Sequence, residues 1–333
     1  MALKAKKMAV LSKLKQLRGS VSLPELSVAM DGEIATRTLR RWLAEWVAEG
    51  VLERTGRKRS TQYRWIGAIQ PPEFTFLEGL PESRREALLA QLRDLWTHNS
   101  TAIEGNTLTL GETQLVLSEG LTVSGKPLKD HQEVTGHSRA IDLVYQSLSG
   151  SITEELVLDL HRAVQTEIVW DIYKPIGSWK IEANGTYIVS DDGEQVFLEY
   201  AMPKDVPGLM SQVIDECNDI RLRTLDEAPA TYAKIHMGVV HIHPFWDGNG
   251  RVARLLANVP LLKAGMPPVV IPVDRRAEYI RILSRYQLSV GQLSAETGVW
   301  PDDPGLEEFV VFVNACYETT LELLDRIRSD IAP

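Results

Sequence analysis

Cysteine is nearly absent. Cys217 and Cys316 are the two in 333 residues, and they lie far apart in sequence. That excludes a disulfide-built scaffold and suits a reducing compartment. No run of about eighteen apolar residues occurs, so nothing asks for a membrane span or a membrane partner. The opening MALKAKKMAVLSKLKQL is basic and amphipathic but has no small-residue cleavage site, so a secretory leader is not expected and a cytoplasmic location is. Neither a 20–50-residue repeat nor a low-complexity tract is found. Gly-x4-Gly-Lys-Ser/Thr is missing, which disfavours a P-loop nucleotide site. Among His236, His241 and His243 the spacings are five and two, which point to different faces of a helix and disfavour a zinc site.

What is present is ordinary for a soluble globular chain: 44% hydrophobic and 24% charged residues. The length suggests two or three domains. Charge is unevenly divided. Residues 1–66 carry 14 Lys and Arg against 6 Asp and Glu, and the rest carry 22 against 39. A basic segment of about +8 beside an acidic one of about −17 implies two modules with different partners.

In the basic module, Val10, Leu11, Leu14 and Leu17 recur at helical spacing. SLPELSVAM fits a short helix with Ser22 as N-cap and Pro24 in its first turn, before an Asp31-Gly32 turn. ATRTLRRWLAEWVAEG fits a third, with Leu39, Leu43, Trp46 and Val47 on one face. VLERTGRKRSTQYRW alternates like two strands around a Gly-Arg-Lys-Arg tip. Three helices and a basic hairpin resemble a winged helix-turn-helix. The resemblance implies duplex DNA as a partner, with Arg37, Arg40 and Arg41 in or beside a groove and Arg57, Lys58 and Arg59 on phosphates. The plainer reading is a solvated basic face on a module that docks protein. GAIQPPEF, near Ile66–Pro72, reads as the boundary.

The acidic body reads as helix after helix. SITEELVLDLHRAVQTEI places Ser151 and Glu154 at capping-box spacing, and RVARLLANVPLLKAG reads as one helical segment. GSWKIEANGTYIVSDDGEQVFLEY interrupts the pattern, and Asn184-Gly185 between β-branched and aromatic runs is a hairpin signal. Such a hairpin is either a packed surface loop or an edge that can pair with another chain.

The densest chemistry lies in HPFWDGNGRVAR, His243 to Arg254. Gly248, Asn249 and Gly250 precede a helix, so backbone N–H groups and a helix N-terminus can form an anion cradle. Arg251 and Arg254 are three apart and suit phosphate. Asp247 could hold Mg²⁺ against phosphates. A neutral His243 could take a proton from an attacking hydroxyl. Phe245 reads as an apolar anchor. Every fixed position of this string matches His-x-Phe-x-Asp/Glu-Gly-Asn-Gly-Arg-x-x-Arg, so the chain resembles the Fic family.

The resemblance covers about residues 70–325. It implies a mainly α fold: an all-helical Fic core with a β-hairpin flap, here preceded by the small winged module. The divisions expected are 1–66 for that module, 67–125 for a helical region with an inhibitory motif, and 126–333 for the catalytic core. The implied activity is transfer of AMP from ATP, with Mg²⁺, to a Ser, Thr or Tyr hydroxyl of a target protein. By resemblance His243 is the general base and Asp247 helps hold the metal. Gly248, Asn249 and Gly250 bind phosphates, Arg251 and Arg254 clamp the phosphate tail, and Tyr279 lies near the base. The flap near Thr186–Ser190, with Tyr187, Ile188 and Val189, would align the target by strand addition.

NSTAIEGN resembles the family's inhibitory motif at Ser100, Glu104 and Gly105, in its N-terminal form. The implied brake is a Glu104–Arg254 pair that withholds the arginine from ATP. Read alone, Glu104 is a solvated helix-end residue with Gly105 as C-cap. AMP removal on the same scaffold, or a DNA-binding regulator whose core senses ATP, are the competing readings, and a homo-oligomer is compatible with the last apolar helix.

Overall fold

The computed structural model describes residues 6–7, 9–10, 13–14, 20–30, 32, 34–48, 52–56, 61–65, 74–166, 171–189 and 193–329. Residues 1–71 and 72–333 form two compact units.

In the first unit, β1 (Ser20–Ser22) leads into α1 (Leu23–Ala29), followed by α2 (Thr36–Ala48), β2 (Leu52–Thr55) and β3 (Gln62–Trp65). The expected N-cap forms. The Ser22 side chain accepts from Glu25 N–H, and the Glu25 carboxylate accepts from Ser22 N–H at 2.7 Å, a reciprocal box. The strands make an antiparallel sheet in the order β1-β3-β2. Leu39, Trp42, Leu43 and Trp46 of α2 are buried with Val10, Leu14, Leu26, Ile34 and Leu52. Arg37, Arg40 and Arg41 are exposed on the other side of α2. Arg57, Lys58 and Arg59, at the expected wing tip, lie outside the described residues, as do Leu11 and Leu17.

The second unit is helical. Its helices are α3 (Glu82–Ile103), α4 (Leu110–Glu119), α5 (Leu128–Ser147), α6 (Glu154–Val164), α7 (Val206–Asp219), α8 (Ala228–Ile242), α9 (Asn249–Leu256), α10 (Val259–Lys263), α11 (Arg276–Val290) and α12 (Gly305–Ser329). α8 runs through the centre with Tyr232, Ile235, Met237, Val239 and Ile242 fully buried, which is why its sequence is apolar all round. Residues 74–103 share one hydrophobic core with the rest of this unit. Both cysteines are free and buried.

Three local expectations are corrected. The N-cap of α6 is Thr153, whose side chain accepts from Leu156 N–H at 3.3 Å, so the Ser151–Glu154 box is not used. RVARLLANVPLLKAG is two helices, α9 and α10. Asn258 breaks it: its Nδ2 donates to the Arg254 and Val269 carbonyls at 3.1 and 2.9 Å, its Oδ1 accepts from Val269 N–H at 2.8 Å, and Pro260 restarts a helix.

The third correction concerns the hairpin, β4 (Gly185–Val189) with β5 (Gln195–Glu199), whose register pairs Gly185 with Glu199 and Val189 with Gln195. Its turn falls after Val189, not at Asn184-Gly185, and Ser190 lies outside the described residues. Asn184 opens the hairpin because its amide is engaged elsewhere, as shown below. Gly185 is needed there because a Cβ would stand 2.4 Å from the Leu198 carbonyl.

Candidate active site

Helix α8 delivers His243 as its C-cap, in the left-handed region at φ 50° and ψ 59°. Among the described residues it is the one non-glycine with positive φ. A cap of this kind is normally glycine or asparagine, and a histidine held there signals a functional constraint. The Tyr200 ring stacks on the imidazole at 3.7 Å and 5°. Nδ1–H donates to the Val240 carbonyl at 3.3 Å, which leaves Nε2 as the lone-pair nitrogen. Burial, with Lys180 nearby, pushes the pKa down to about 3, against the opposing pull of the Val240 carbonyl and Asp247. The ring is therefore neutral across the physiological range.

The loop from His243 to Gly248 is rigid for identifiable reasons. Phe245 is fully buried, sandwiched by His161 at 3.9 Å and 7° and by Trp179 at 5.2 Å. His161 accepts from Gly177 N–H at Nδ1 and donates from Nε2 to the Asp247 carbonyl at 3.1 Å. Burial lowers its pKa to about 4, so this tautomer persists at neutral pH. Asn249 folds its carboxamide back onto Phe245, accepting from its N–H at 2.8 Å and donating to its carbonyl at 2.9 Å. The amide expected to bind phosphate is thus a staple for the loop. What the cradle offers an anion is backbone: Gly248 at φ 79° starts α9 without a side-chain cap, which leaves first-turn N–H groups for a ligand.

The two arginines diverge. Arg251 donates to the Val164 carbonyl at 3.0 Å and pairs with Asp247 at 3.2 Å. Arg254, 2% exposed, turns to α3. Its Nε donates to Ser100 Oγ at 3.0 Å, and Nη2 donates to the Ser100 carbonyl at 2.8 Å and to Glu104 Oε1 at 2.6 Å. Nη1 donates to the Tyr279 hydroxyl at 3.2 Å, which in turn donates to His236 Nε2 at 2.9 Å. Burial alone would lower the Arg254 pKa, but the Glu104 carboxylate together with Tyr279 and Tyr232 outweighs it, and the guanidinium is held more firmly charged than usual. Glu104 is the C-cap of α3. Its position is fixed because Arg276 Nε donates to the Ile103 carbonyl at 2.6 Å and Val273 N–H donates to Asn99 at 2.8 Å. Gly105, at φ 102°, turns the chain away. A Cβ on Gly250 would stand 2.5 Å from Glu104 Oε1, so the carboxylate sits directly on the cradle.

A cavity of about 780 Å³ opens between the hairpin and α11, lined by Glu104, His243, Gly250 and Tyr279 with Thr186, Tyr187 and Ile188 of the flap. Ser100, Glu104, His243, Gly250, Arg254 and Tyr279, far apart in sequence, are thereby brought together. Asp247 is at the exposed side of the loop, with a side chain 57% accessible. Tyr279 is 2% exposed and its hydroxyl is committed to Arg254 and His236. His241 packs edge-on against Tyr286 in the core.

Sequence reasoning missed Lys180, Asn184, Tyr200 and His161. Asn184 Nδ2 donates to the Phe245 carbonyl at 3.1 Å, and its backbone carbonyl accepts from Tyr200 N–H at 3.0 Å. No spacing rule flags these four, because they converge on the loop only through the fold.

This geometry gathers a C-cap histidine, a glycine-bounded helix start and a hairpin around one cavity of the helical unit. The Fic/DOC family pattern matches residues 151–261 of the chain. Protein adenylyltransferase fic-1 of Caenorhabditis elegans is 34% identical over 212 residues, which cover 62% of this chain and 39% of that protein. Protein adenylyltransferase Fic of Drosophila melanogaster is 34% identical over 237 residues, 70% of this chain and 42% of that protein. The chain therefore spans about two fifths of the length of the curated relatives it matches. A solved Fic-domain-containing signaling protein from Bacteroides thetaiotaomicron matches with a TM-score of 0.66 and 28% identity, over 78% of this chain and 94% of that one.

Proposed function

We propose that the chain is a protein adenylyltransferase held in check by its own Glu104. The observation that carries the proposal is the cavity lined by a neutral His243, by Gly250 of the α9 cradle and by Glu104, whose carboxylate pairs with the buried Arg254. A target hydroxyl attacks the α-phosphorus of ATP. The new bond is hydroxyl oxygen to phosphorus, the bond to the bridging oxygen breaks, diphosphate leaves, and the hydroxyl proton passes to Nε2 of His243. In-line displacement of this kind needs positioning and charge neutralisation more than covalent help. A placed base contributes about 10²–10⁴-fold. The α9 N–H groups take phosphate oxygens, and the edge of β4 takes the target backbone.

Mg²⁺ fits this donor set. Asp247 is an accessible hard oxygen ligand, and Mg²⁺ characteristically uses one or two carboxylates plus substrate phosphates. Bound there, the ion would neutralise phosphate charge, while Asp247 would exchange its pairing with Arg251 for it. Glu104 restrains the reaction because the Arg254 guanidinium is already engaged with a carboxylate 2.6 Å away. An incoming phosphate must displace that carboxylate, and the 39% accessibility of the Glu104 side chain lets it swing out.

The test uses ATP labelled at the α- or γ-phosphate with Glu104→Gly, and with Glu104→Gly combined with His243→Ala. Incorporation of α-label alone, lost in the double variant, is expected. Incorporation of γ-label, or α-label that survives loss of His243, would overturn the reading. If a modified protein loses AMP on incubation with the wild type, removal of AMP becomes the better reading.

A second role rests on a separate observation. Arg37, Arg40 and Arg41 are exposed along α2, beside a three-stranded antiparallel sheet. This supports duplex DNA as a partner of residues 1–71, through phosphate contacts whose affinity falls with salt. Binding unchanged between low and moderate salt, or after Arg37 and Arg40 are replaced by Gln, would contradict it.

A further inference from the structure

Lys180 is a buried cation near the loop that the proposed reaction does not use. It is 2% exposed, and its two ends hold the two carbonyls that flank His243. The side-chain ammonium donates to the Ile242 carbonyl at 3.4 Å and, more strongly, to Asn184 Oδ1 at 2.6 Å. The backbone N–H donates to the Pro244 carbonyl at 2.8 Å. Asn184 then binds the Phe245 carbonyl and the Tyr200 N–H, and the Tyr200 ring stacks on His243. The Lys180 ammonium also lies 5.9 Å from the centre of that ring. One residue therefore joins the end of α8, the root of the hairpin and the aromatic that faces the base, and its side chain and backbone together hold the carbonyls on either side of His243.

We infer that Lys180 is a positioning residue: it restrains His243 in its left-handed conformation and couples the flap root to the base. The inference rests on the proposed role of His243 and deepens it. The physical need is plain. A histidine at φ 50° costs strain that its own side chain does not relieve. Ile242 is in the last turn of α8, where carbonyls lack helical partners and a cation is favourable. Placement errors of about 1 Å at a reacting group can cost about a hundredfold in rate.

The charge has a second consequence. The charged or titratable groups bearing on His243 are Lys180, Asp247 and His241. Among them Lys180 is the largest contributor to keeping the imidazole neutral, after burial itself. Burial likewise brings Lys180 down to about 7. Its contacts are Asn184, the Ile242 carbonyl and the Tyr200 ring.

The experiment compares Lys180→Met and Lys180→Arg, each in the Glu104→Gly chain. AMP incorporation is measured against ATP concentration, and the His243 ring is titrated by NMR. Met fills the space without a buried charge, so the variant is expected to fold. The expected result is a kcat about tenfold or more lower with KM for ATP within about twofold. His243 should titrate at higher pH, because a repelling cation is gone. Lys180→Arg should recover a substantial part of kcat and the original His243 titration. Wild-type kcat and an unmoved His243 in Lys180→Met would overturn the inference. A rise in KM alone would do so too, since it would make Lys180 a binding residue. If the Glu104→Gly parent itself transfers no AMP, the functional reading fails, and the NMR titration still decides whether Lys180 governs His243.

Discussion

At the scale of single residues, the site is a competition for one guanidinium. Arg254 is fully inside the protein and makes four hydrogen bonds, two to Ser100 and one each to Glu104 and Tyr279. Removing the Glu104 carboxylate leaves three of them. A charge-assisted bond contributes about 1.5–3 kcal/mol, and the lower end applies to a carboxylate with this much solvent access. Glu104→Gly should therefore lower stability by about 1–2 kcal/mol in urea unfolding without nucleotide. Saturating ATP should restore it, because a phosphate replaces the lost partner. An equally stable variant with no nucleotide response would mean that the pair carries no energy. Phe245 makes a different kind of contribution. It is packed between two rings at zero exposure, so Phe245→Ala should cost about 3–5 kcal/mol, and the loop should lose its order with it. A loss under about 1 kcal/mol in the same unfolding assay would show that His161 and Asn249 suffice to hold the loop.

At the scale of elements, the β4–β5 hairpin and the end of α3 face one cavity from different origins. β4 pairs with β5 on one side and offers its other edge. Tyr187→Pro in β4 removes a donor from that strand and bends it. Target labelling should fall about tenfold or more while ATP affinity, read by calorimetry, stays within about twofold. Equal losses in both would mean that the hairpin shapes the nucleotide pocket itself.

Much at this scale was legible in the sequence. The Ser22 cap and the end of α3 at Glu104 follow from local signals, whereas α9 starts at Asn249, two residues before the expected Arg251. The Thr109–Glu112 box and Gly120 that bound α4 were equally readable and went unread. What was not legible depends on distant partners. Asn184-Gly185 carries the strongest turn signal in the segment, yet Lys180, Tyr200 and Phe245 claim Asn184 and push the turn downstream. Asn249 reads as a ligand in the motif and acts as a staple because Phe245 is buried beside it. The apposition of Glu104 and Arg254 could be inferred only through family resemblance, since 150 residues separate them.

At the scale of the whole second unit, four buried histidines and the half-buried His243 set the response to acid. His161 and His241 are pushed down to about 4 and His243 to about 3, in each case chiefly by burial, and His137 and His236 lie well below their ordinary value for the same reason. The unfolded chain binds these protons near pH 6.5 and the folded protein resists them. Their stabilisation is complete above about pH 6.5 and is lost as pH falls toward 4 and below. The midpoint of thermal unfolding should thus fall steeply from about pH 6.5 to 4. A flat profile there would contradict the burial of these rings. Lys180 acts in the alkaline range. With a folded value of about 7, it costs stability at neutral pH, and that cost is relieved as pH rises toward its ordinary 10.5. The stability of the wild type relative to Lys180→Met should accordingly improve between pH 7 and 10, and a constant difference would mean that the ammonium is not desolvated.

We propose a transferase site held closed by a carboxylate of the same chain. The most direct test is the initial rate of AMP incorporation from ATP and Mg²⁺ by wild type and Glu104→Gly, side by side at equal concentration. The account predicts a rate at least about tenfold higher in Glu104→Gly, matching the release of a competing charge-assisted bond. Equal rates in the two proteins would show that the 2.6 Å contact between Glu104 and Arg254 is not a brake.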